Sequence, residues 1–113
     1  MNEPTGSLEI DCRTVNARLE AGEPLVLLDC REPDEHEFVR LAASRLLPMS
    51  ELMLRVGELD EVRDAEIVVY CHHGVRSRQV ANWLRGRGFP HVRSLAGGID
   101  RWSKEIDPAL PRY

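Results

Sequence analysis

Two apolar runs of strand length stand out along the chain, at residues 24–30 and 66–71. Neither run alternates between polar and apolar positions, as a strand with one face in water would. Continuous apolar runs of this length are typical of strands covered on both faces, as in a parallel sheet. Shorter stretches at 8–10, 45–48 and 91–98 predict three more strands, the last followed by a turn. The pattern therefore predicts a sheet of about five strands.

Helical spacing of apolar residues fills the gaps between these strands. Val15 and Leu19 predict the inner face of a helix that starts after Asp11, which suits the N-cap, and Gly22 suits the residue beyond its end. Four further helices are predicted: one from Pro33, one from Ser50 with a break near Gly57, and those at 76–88 and 99–106. Alternating strands and helices predict an α/β domain with a mainly parallel central sheet and helices on both faces.

Length and composition fit one compact domain. The chain has 113 residues, of which 42% are hydrophobic and 30% charged, so we expect residues 7–113 to form a single domain after a flexible N-terminal arm at 1–6. The net charge of -4 argues against binding of nucleic acid. No run approaches the ~18 apolar residues of a membrane helix, and the opening "MNEPTGSLEID" lacks the features of a signal peptide.

The three cysteines, Cys12, Cys30 and Cys71, are an odd number without a Cys-x-x-Cys pair. This pattern argues against a disulfide framework and favours a reducing, cytoplasmic location. His72 and His73 are adjacent to Cys71, but no second ligand pair has zinc-finger spacing. We therefore expect no metal and no cofactor.

Cys71 lies where the strand at 66–71 ends and the helix at 76–88 begins, which is where parallel sheets bind ligands. Backbone N–H groups at such a junction lack helical partners, so they can form an anion-binding nest. Gly74 permits the positive φ that a curled loop requires. The same field favours thiolate over thiol, and Arg76 adds a planar fork of donors suited to sulfonate or phosphate oxygens.

Other interpretations of these residues remain open. A buried structural thiol is the alternative for Cys71, but it explains neither the loop glycine nor the clustered basic side chains. Cys12, in the first turn of a surface helix, and Cys30 are interpreted as packing or incidental residues. A resolving role stays open for Cys30, because its strand should lie in the same sheet. His72 and His73 are solvated loop residues in one interpretation, and in the other one of them faces a substrate.

Three stretches, in order and at matching spacing, resemble the rhodanese-like sulfurtransferases. "CHHGVRS" (71–77) resembles the family's active-site loop, Cys-x-x-Gly-x-Arg/Thr-Ser. "LLDCREPDEHEF" (27–38) resembles its first signature, and "SLAGGIDRWSKE" (94–105) its last. The resemblance covers about residues 8–106 and implies a rhodanese-like three-layer domain.

The resemblance also implies a persulfide cycle. Cys71 would take a sulfane sulfur from a small anionic donor such as thiosulfate, or from a persulfide, and pass it to cyanide, a thiol or a protein carrier. The implied substrate-binding residues are those of the loop: His72, His73, Gly74, Val75, Arg76 and Ser77. Their backbone amides would stabilise the persulfide, and Arg76 would bind the anionic end of the donor. Asp29 and Arg31 would belong to a supporting network.

Loop length separates this chain from related enzymes of other activity. Phosphatases and arsenate reductases of similar fold use Cys-x5-Arg, whereas Arg76 lies five positions after Cys71, giving Cys-x4-Arg. The shorter loop favours binding of a single additional sulfur atom on the cysteine over binding of a tetrahedral oxyanion. A non-catalytic binding or redox-sensing module is the main alternative, but such modules usually lack the loop cysteine.

One stretch departs from the family pattern. Where the family often has Gly-His-Ile-x-Gly-Ala, this chain has "VRLAAS", so Val39 and Ala43 replace glycines and Arg40 replaces a histidine. We expect the fold to survive if that turn adapts.

The end of the chain bears on partners. "IDRWSKEIDPALPRY" resembles the end of rhodanese domains fused to adenylating enzymes that activate ubiquitin-like sulfur carriers. Such a carrier as acceptor, or a cysteine desulfurase as donor, is therefore an open possibility. The other interpretation is that a proline-rich end packs across the surface.

Overall fold

The structure, a computed structural model, describes residues 7–113, so the predicted arm at 1–6 lies outside the described residues. A five-stranded sheet forms the centre, with the strand order β1-β5-β4-β2-β3 and every neighbouring pair parallel. The strands are β1 (Glu9–Ile10), β2 (Val26–Asp29), β3 (Arg45–Leu46), β4 (Ile67–Tyr70) and β5 (Val92–Leu95). The predicted α/β fold class is confirmed.

The helices between the strands are α1 (Cys12–Glu20), α2 (Pro33–Phe38), α3 (Leu52–Arg55), α4 (Val75–Gly86) and α5 (Gly98–Glu105). The helix expected from Ser50 is instead one short α-helix between two 3₁₀ segments, at Met49–Glu51 and Val56–Val62. Met53 and Leu54 point into solvent there, so the apolar pattern overstated the helix. Among residues 7–113, no helix is long and apolar enough to cross a membrane.

Apolar side chains cover both faces of the sheet, as the unbroken strand runs predicted. Val69 of β4 belongs to a core that α4 covers, and Val68 to a second core beneath α1 and α5. On α1 the fully buried residues are Cys12 and Val15, while Leu19 is only partly buried. The predicted inner face of α1 is therefore confirmed, and it extends to Cys12, which packs in the same core although a surface helix was expected there.

Local signals fix the ends of the elements that flank the site. Asp11 caps α1 by accepting a 2.7 Å hydrogen bond from the Thr14 N–H. Pro33 occupies the first turn of α2, where Glu32 and Glu35 form a capping box. The turn at 39–44 adapts through Ala43, whose φ of 62° is the only positive value at a non-glycine residue in the described part. The fold thus tolerates the missing glycine with a strained alanine.

Candidate active site

The loop between β4 and α4 curls around the Cys71 sulfur. The N–H groups of Gly74 and Ser77 donate to Sγ at 3.1 and 3.3 Å. Gly74 caps α4 with a φ of +102°, as predicted for a curled loop. Cys71 is only 1% exposed, so its sulfur lies at the bottom of the loop.

Two serine hydroxyls extend the network behind the sulfur. The Ser77 Oγ lies 3.4 Å from Cys71 Sγ and 2.7 Å from the Oγ of Ser94, and both serines are fully buried. Ser94 comes from β5, the strand next to β4. Sequence reasoning missed Ser94, whose only signal was a small polar residue within an otherwise buried strand.

A second thiol lies beside the first. The thiol of Cys30 donates a hydrogen bond to Cys71, and this bond is the largest cause that lowers the pKa of Cys71 to about 4. Burial opposes the shift, and the Ser77 hydroxyl with the Ser77 and Gly74 amides reinforces it. The same hydrogen bond, together with burial, raises the pKa of Cys30. At neutral pH the pair therefore consists of a Cys71 thiolate and a Cys30 thiol.

The start of α5 holds the loop backbone from outside. The N–H groups of Ile99 and Asp100 donate to the carbonyl oxygens of Cys71 and His72 at 2.9 and 3.1 Å. A Cβ on Gly98 would lie 2.5 Å from the Cys71 carbonyl oxygen. The Gly-Gly pair thus allows α5 to approach the loop closely, a role that the sequence pattern alone did not reveal.

Arg76 is paired with an acidic side chain of α2. Its Nη1 and Nη2 donate to the two carboxylate oxygens of Glu35 at 2.7 and 2.9 Å. This hydrogen-bonded pairing is the largest cause that lowers the pKa of Glu35 to about 2. The loop cation that the sequence predicted is therefore already compensated, and its side chain remains 33% exposed.

The C-terminal segment folds across the mouth of the loop. The Tyr113 hydroxyl donates to Glu35 at 2.6 Å and accepts from Arg31 at 2.8 Å. Its ring stacks on His72 at 3.8 Å, and His72 stacks on the exposed His73 at 3.8 Å. Burial and the neighbouring His73 lower the pKa of His72, so its ring is neutral at pH 7. His72 is thus sandwiched between rings rather than solvated.

Asp29 and Arg31 form a fully buried ion pair behind the loop. Arg31 donates to both Asp29 carboxylate oxygens at 2.9 and 2.7 Å, and also to the carbonyl oxygen of Val39. His36 lies 2.7 Å from the same carboxylate. Arg31 contacts the mouth of the loop through Tyr113. This position fits a residue that supports the structure of the site rather than one that takes part in the chemistry.

One group of side chains offers metal ligands near the loop. The ligand atoms of His72, His73 and Asp100 all lie within 4.8 Å of one another. Asp100, however, already pairs with Arg112 at 2.9 Å and Lys104 at 3.2 Å. A metal ion there would compete with two cations for the carboxylate.

Known proteins share both the sequence pattern and the fold. A protein of Allochromatium vinosum named sulfurtransferase is 34% identical over 102 residues, which cover 90% of this chain and 94% of that protein. The adenylyltransferase and sulfurtransferase MOCS3-2 of Zea mays is 30% identical over 95% of this chain but only 23% of its own length. The chain thus spans less than a third of the longer relatives that it matches, such as the maize protein.

The crystal structure of a rhodanese-related protein from Thermoplasma volcanium matches with a TM-score of 0.80 and 30% identity, over 95% of this chain and 100% of that one. A family model described as Rhodanese-like domain matches residues 11–105. These findings confirm the resemblance seen in the three sequence stretches, and the chain belongs to the rhodanese-like family, with relatives named sulfurtransferase.

Proposed function

We propose that this chain moves a sulfane sulfur from thiosulfate or a persulfide donor to a thiophilic acceptor through a Cys71 persulfide. The observation that carries the proposal is the Cys71 thiolate, which the Gly74 and Ser77 N–H groups hold at 3.1 and 3.3 Å. With a pKa of about 4, Cys71 is ionised at neutral pH, whereas an ordinary cysteine is only a few per cent thiolate.

The first half of the cycle loads the protein. The Cys71 thiolate attacks the outer sulfur of the donor, and the sulfur–sulfur bond of the donor breaks. Sulfite leaves with the electron pair when the donor is thiosulfate, and a thiolate leaves when it is an alkyl persulfide. An acceptor nucleophile then attacks the outer sulfur of the persulfide and regenerates the Cys71 thiolate.

The loop residues hold the sulfur, and their neighbours hold the loop. The amides from His72 to Ser77, including those of His73 and Val75, line the curl in which the outer sulfur sits. Arg76 binds the anionic end of the donor in competition with Glu35, its 2.7 Å partner. Asp29 and Arg31 keep β2 and the tail in place from their buried position. The Cys-x4-Arg ring favours this transfer over phosphatase or arsenate reductase chemistry.

The partners follow from the same chemistry. Relatives such as the maize protein are named adenylyltransferase and sulfurtransferase, which supports a ubiquitin-like sulfur carrier as acceptor. A cysteine desulfurase is the matching protein donor. We further propose that residues 7–113 act as one domain in a reducing compartment such as the cytoplasm, in keeping with three free thiols.

Intact-protein mass spectrometry tests the proposal directly. After brief exposure to thiosulfate, the wild type should gain one sulfur atom that cyanide removes, and Cys71→Ser should gain none. Cys12→Ala is the matched control, since Cys12 is equally buried but belongs to the other core. If glutathione persulfide loads the chain and thiosulfate does not, the donor is a persulfide. If neither donor loads the chain, the non-catalytic binding or redox-sensing module becomes the better interpretation.

A further inference from the structure

Cys30 places a second thiol beside Cys71, and the proposed sulfur transfer, which uses one cysteine, does not require it. Strands β2 and β4 pair in register, with Leu28 opposite Val69 and Asp29 opposite Tyr70. The Cys30 N–H continues the ladder by donating to the Tyr70 carbonyl oxygen at 3.1 Å. Cys30 and Cys71 are therefore the next pair along two adjacent strands.

The spacing of this pair suits a disulfide. Neighbouring strands lie about 4.8 Å apart, and disulfides join residues whose Cα atoms are about 4.4–6.8 Å apart. Both side chains point to the same face of the sheet, because both belong to the core under α4. Cys30 is fully buried, and the hydrogen bond from its thiol to Cys71 places the two sulfurs side by side. Cys12 belongs to the opposite core and has no such neighbour.

We propose that Cys30 is a resolving thiol, which gives this chain a further activity: reduction of the Cys71 persulfide to sulfide. This proposal rests on the persulfide cycle proposed above. The Cys30 sulfur attacks Cys71 Sγ, and the sulfur–sulfur bond of the persulfide breaks. The outer sulfur leaves as hydrosulfide with the electron pair and the proton of Cys30. The sulfane sulfur is reduced, the two thiols are oxidised to a disulfide, and an external dithiol restores both thiols.

Cys30 can attack Cys71 only when Cys71 carries the persulfide, not when it is a free thiolate. A Cys71 thiolate is no electrophile, so Cys30 only donates a hydrogen bond to it. Once loaded, Cys71 Sγ carries a leaving group, and its anionic outer sulfur can take the proton of Cys30. Because Cys71 is only 1% exposed, an acceptor from solution must enter the loop to reach the outer sulfur. Cys30 already lies beside Cys71 Sγ, the atom it attacks, which is an advantage of proximity. Sulfide release therefore competes with transfer whenever the acceptor is scarce.

Time-resolved mass spectrometry without an acceptor tests the step. Wild-type protein is loaded with thiosulfate or glutathione persulfide, freed of donor and followed by intact mass and by a sulfide assay. We expect the added sulfur to disappear, one sulfide to be released per chain, and a species two hydrogens lighter than the reduced chain to accumulate. Peptide mapping should then join Cys30 to Cys71, and dithiothreitol should reverse the change.

Variants separate resolution from loading. Cys30→Ser keeps a hydrogen-bond donor beside Cys71. Cys30→Val fills the buried site with an apolar side chain of similar volume but removes that donor, so it should load more slowly, and only the lifetime of its adduct is compared. In both, we expect the added sulfur to persist and sulfide release to be lost. Cys12→Ala should behave as the wild type does. A wild-type adduct as long-lived as that of Cys30→Val would overturn the proposal.

Failure of the sulfur cycle has a different signature. If no donor loads any variant, the proposed function fails, and the thiol pair is tested alone by equilibration with oxidised dithiothreitol. A Cys30–Cys71 disulfide in that experiment would support the geometry of the pair. Its absence, with both thiols still free after denaturation, would overturn the resolving role as well.

Discussion

Removal of the Ser77 hydroxyl should raise the pKa of Cys71 without displacing the loop. Ser77→Ala deletes the Oγ that lies 3.4 Å from Sγ but keeps the N–H that donates at 3.3 Å. A hydrogen bond to a charged group contributes about 1.5–3 kcal/mol, and one pKa unit corresponds to about 1.4 kcal/mol. The pKa of Cys71 should therefore rise from about 4 to about 5–6.

The difference is largest in mildly acidic solution. At pH 5, about 90% of wild-type Cys71 and about 10–50% of the variant should be thiolate, given these pKa values. The ultraviolet absorbance of the thiolate, followed against pH and corrected with Cys71→Ser, measures this fraction. The rate of sulfur loading should fall in parallel at pH 5 and change little at pH 7, where both forms are ionised.

A matched variant separates the direct hydrogen bond from general disturbance. Ser94→Ala removes the neighbouring buried hydroxyl, which bonds Ser77 at 2.7 Å but is not among the causes that shift Cys71. We expect a much smaller change in the pKa of Cys71. An equal shift in the two variants would contradict the direct hydrogen bond. A wild-type Cys71 that titrates at about 8.5, as free cysteine does, would refute the whole account of the thiolate.

The same ionisation links stability to pH. The folded-state pKa of Cys71 lies below its pKa in the unfolded chain, which is about 8.5. The folded thiolate therefore stabilises the protein most above about pH 8.5. The contribution declines as the pH falls and is lost near pH 4, the folded-state pKa. This decline should be absent from Cys71→Ser.

Three further changes test the frame of the site. Gly98→Ala would place a carbon 2.5 Å from the Cys71 carbonyl oxygen, so we expect the loop to shift and sulfur loading by mass spectrometry to be largely lost; loading at the wild-type rate would contradict the close approach. Asp29→Asn leaves Arg31 buried without its counter-charge, so urea denaturation should show a free energy of unfolding lower by about 3–5 kcal/mol. The control Glu61→Gln, which breaks an exposed ion pair, should lower it by less than about 1 kcal/mol. Ala43→Gly relieves a φ of 62° and should raise the free energy of unfolding by about 1 kcal/mol; an unchanged denaturation midpoint would show that the turn carries no strain.

Sequence pattern predicted the sheet and the loop because their signals are local. The apolar runs at 24–30 and 66–71 identified β2 and β4, because a continuous apolar run of this length indicates a strand that is buried on both faces. The position of Gly74 between a strand and a helix was enough to predict a positive φ, and its φ of +102° confirms this prediction. The segment after Ser50 is helical and changes from an α-helix to a 3₁₀ segment next to Gly57, close to the predicted break. Local spacing did not reveal that most of it is 3₁₀, or that Met53 and Leu54 face solvent.

The partners of the loop residues were not predictable, because they depend on long-range packing. Glu35 and Arg76 are 41 positions apart in sequence, and Tyr113 is 78 positions from Glu35. No periodicity or motif marks such a contact. The same holds for Ser94, which meets Ser77 only because β5 pairs with β4.

These unforeseen contacts change how the thiolate is explained. The sequence predicted a nest of backbone amides with cationic side chains close by, but Arg76 is paired with Glu35 and His72 is uncharged at pH 7. The hydrogen-bond donors that contact Sγ are instead neutral groups: a thiol, a hydroxyl and two amides. Neutral donors stabilise a buried anion without adding a charge that must itself be compensated. In the proposed cycle, the loop and Cys30 therefore prepare Cys71 as the nucleophile, and the ion pair of Arg76 and Glu35 responds to the charge of the donor.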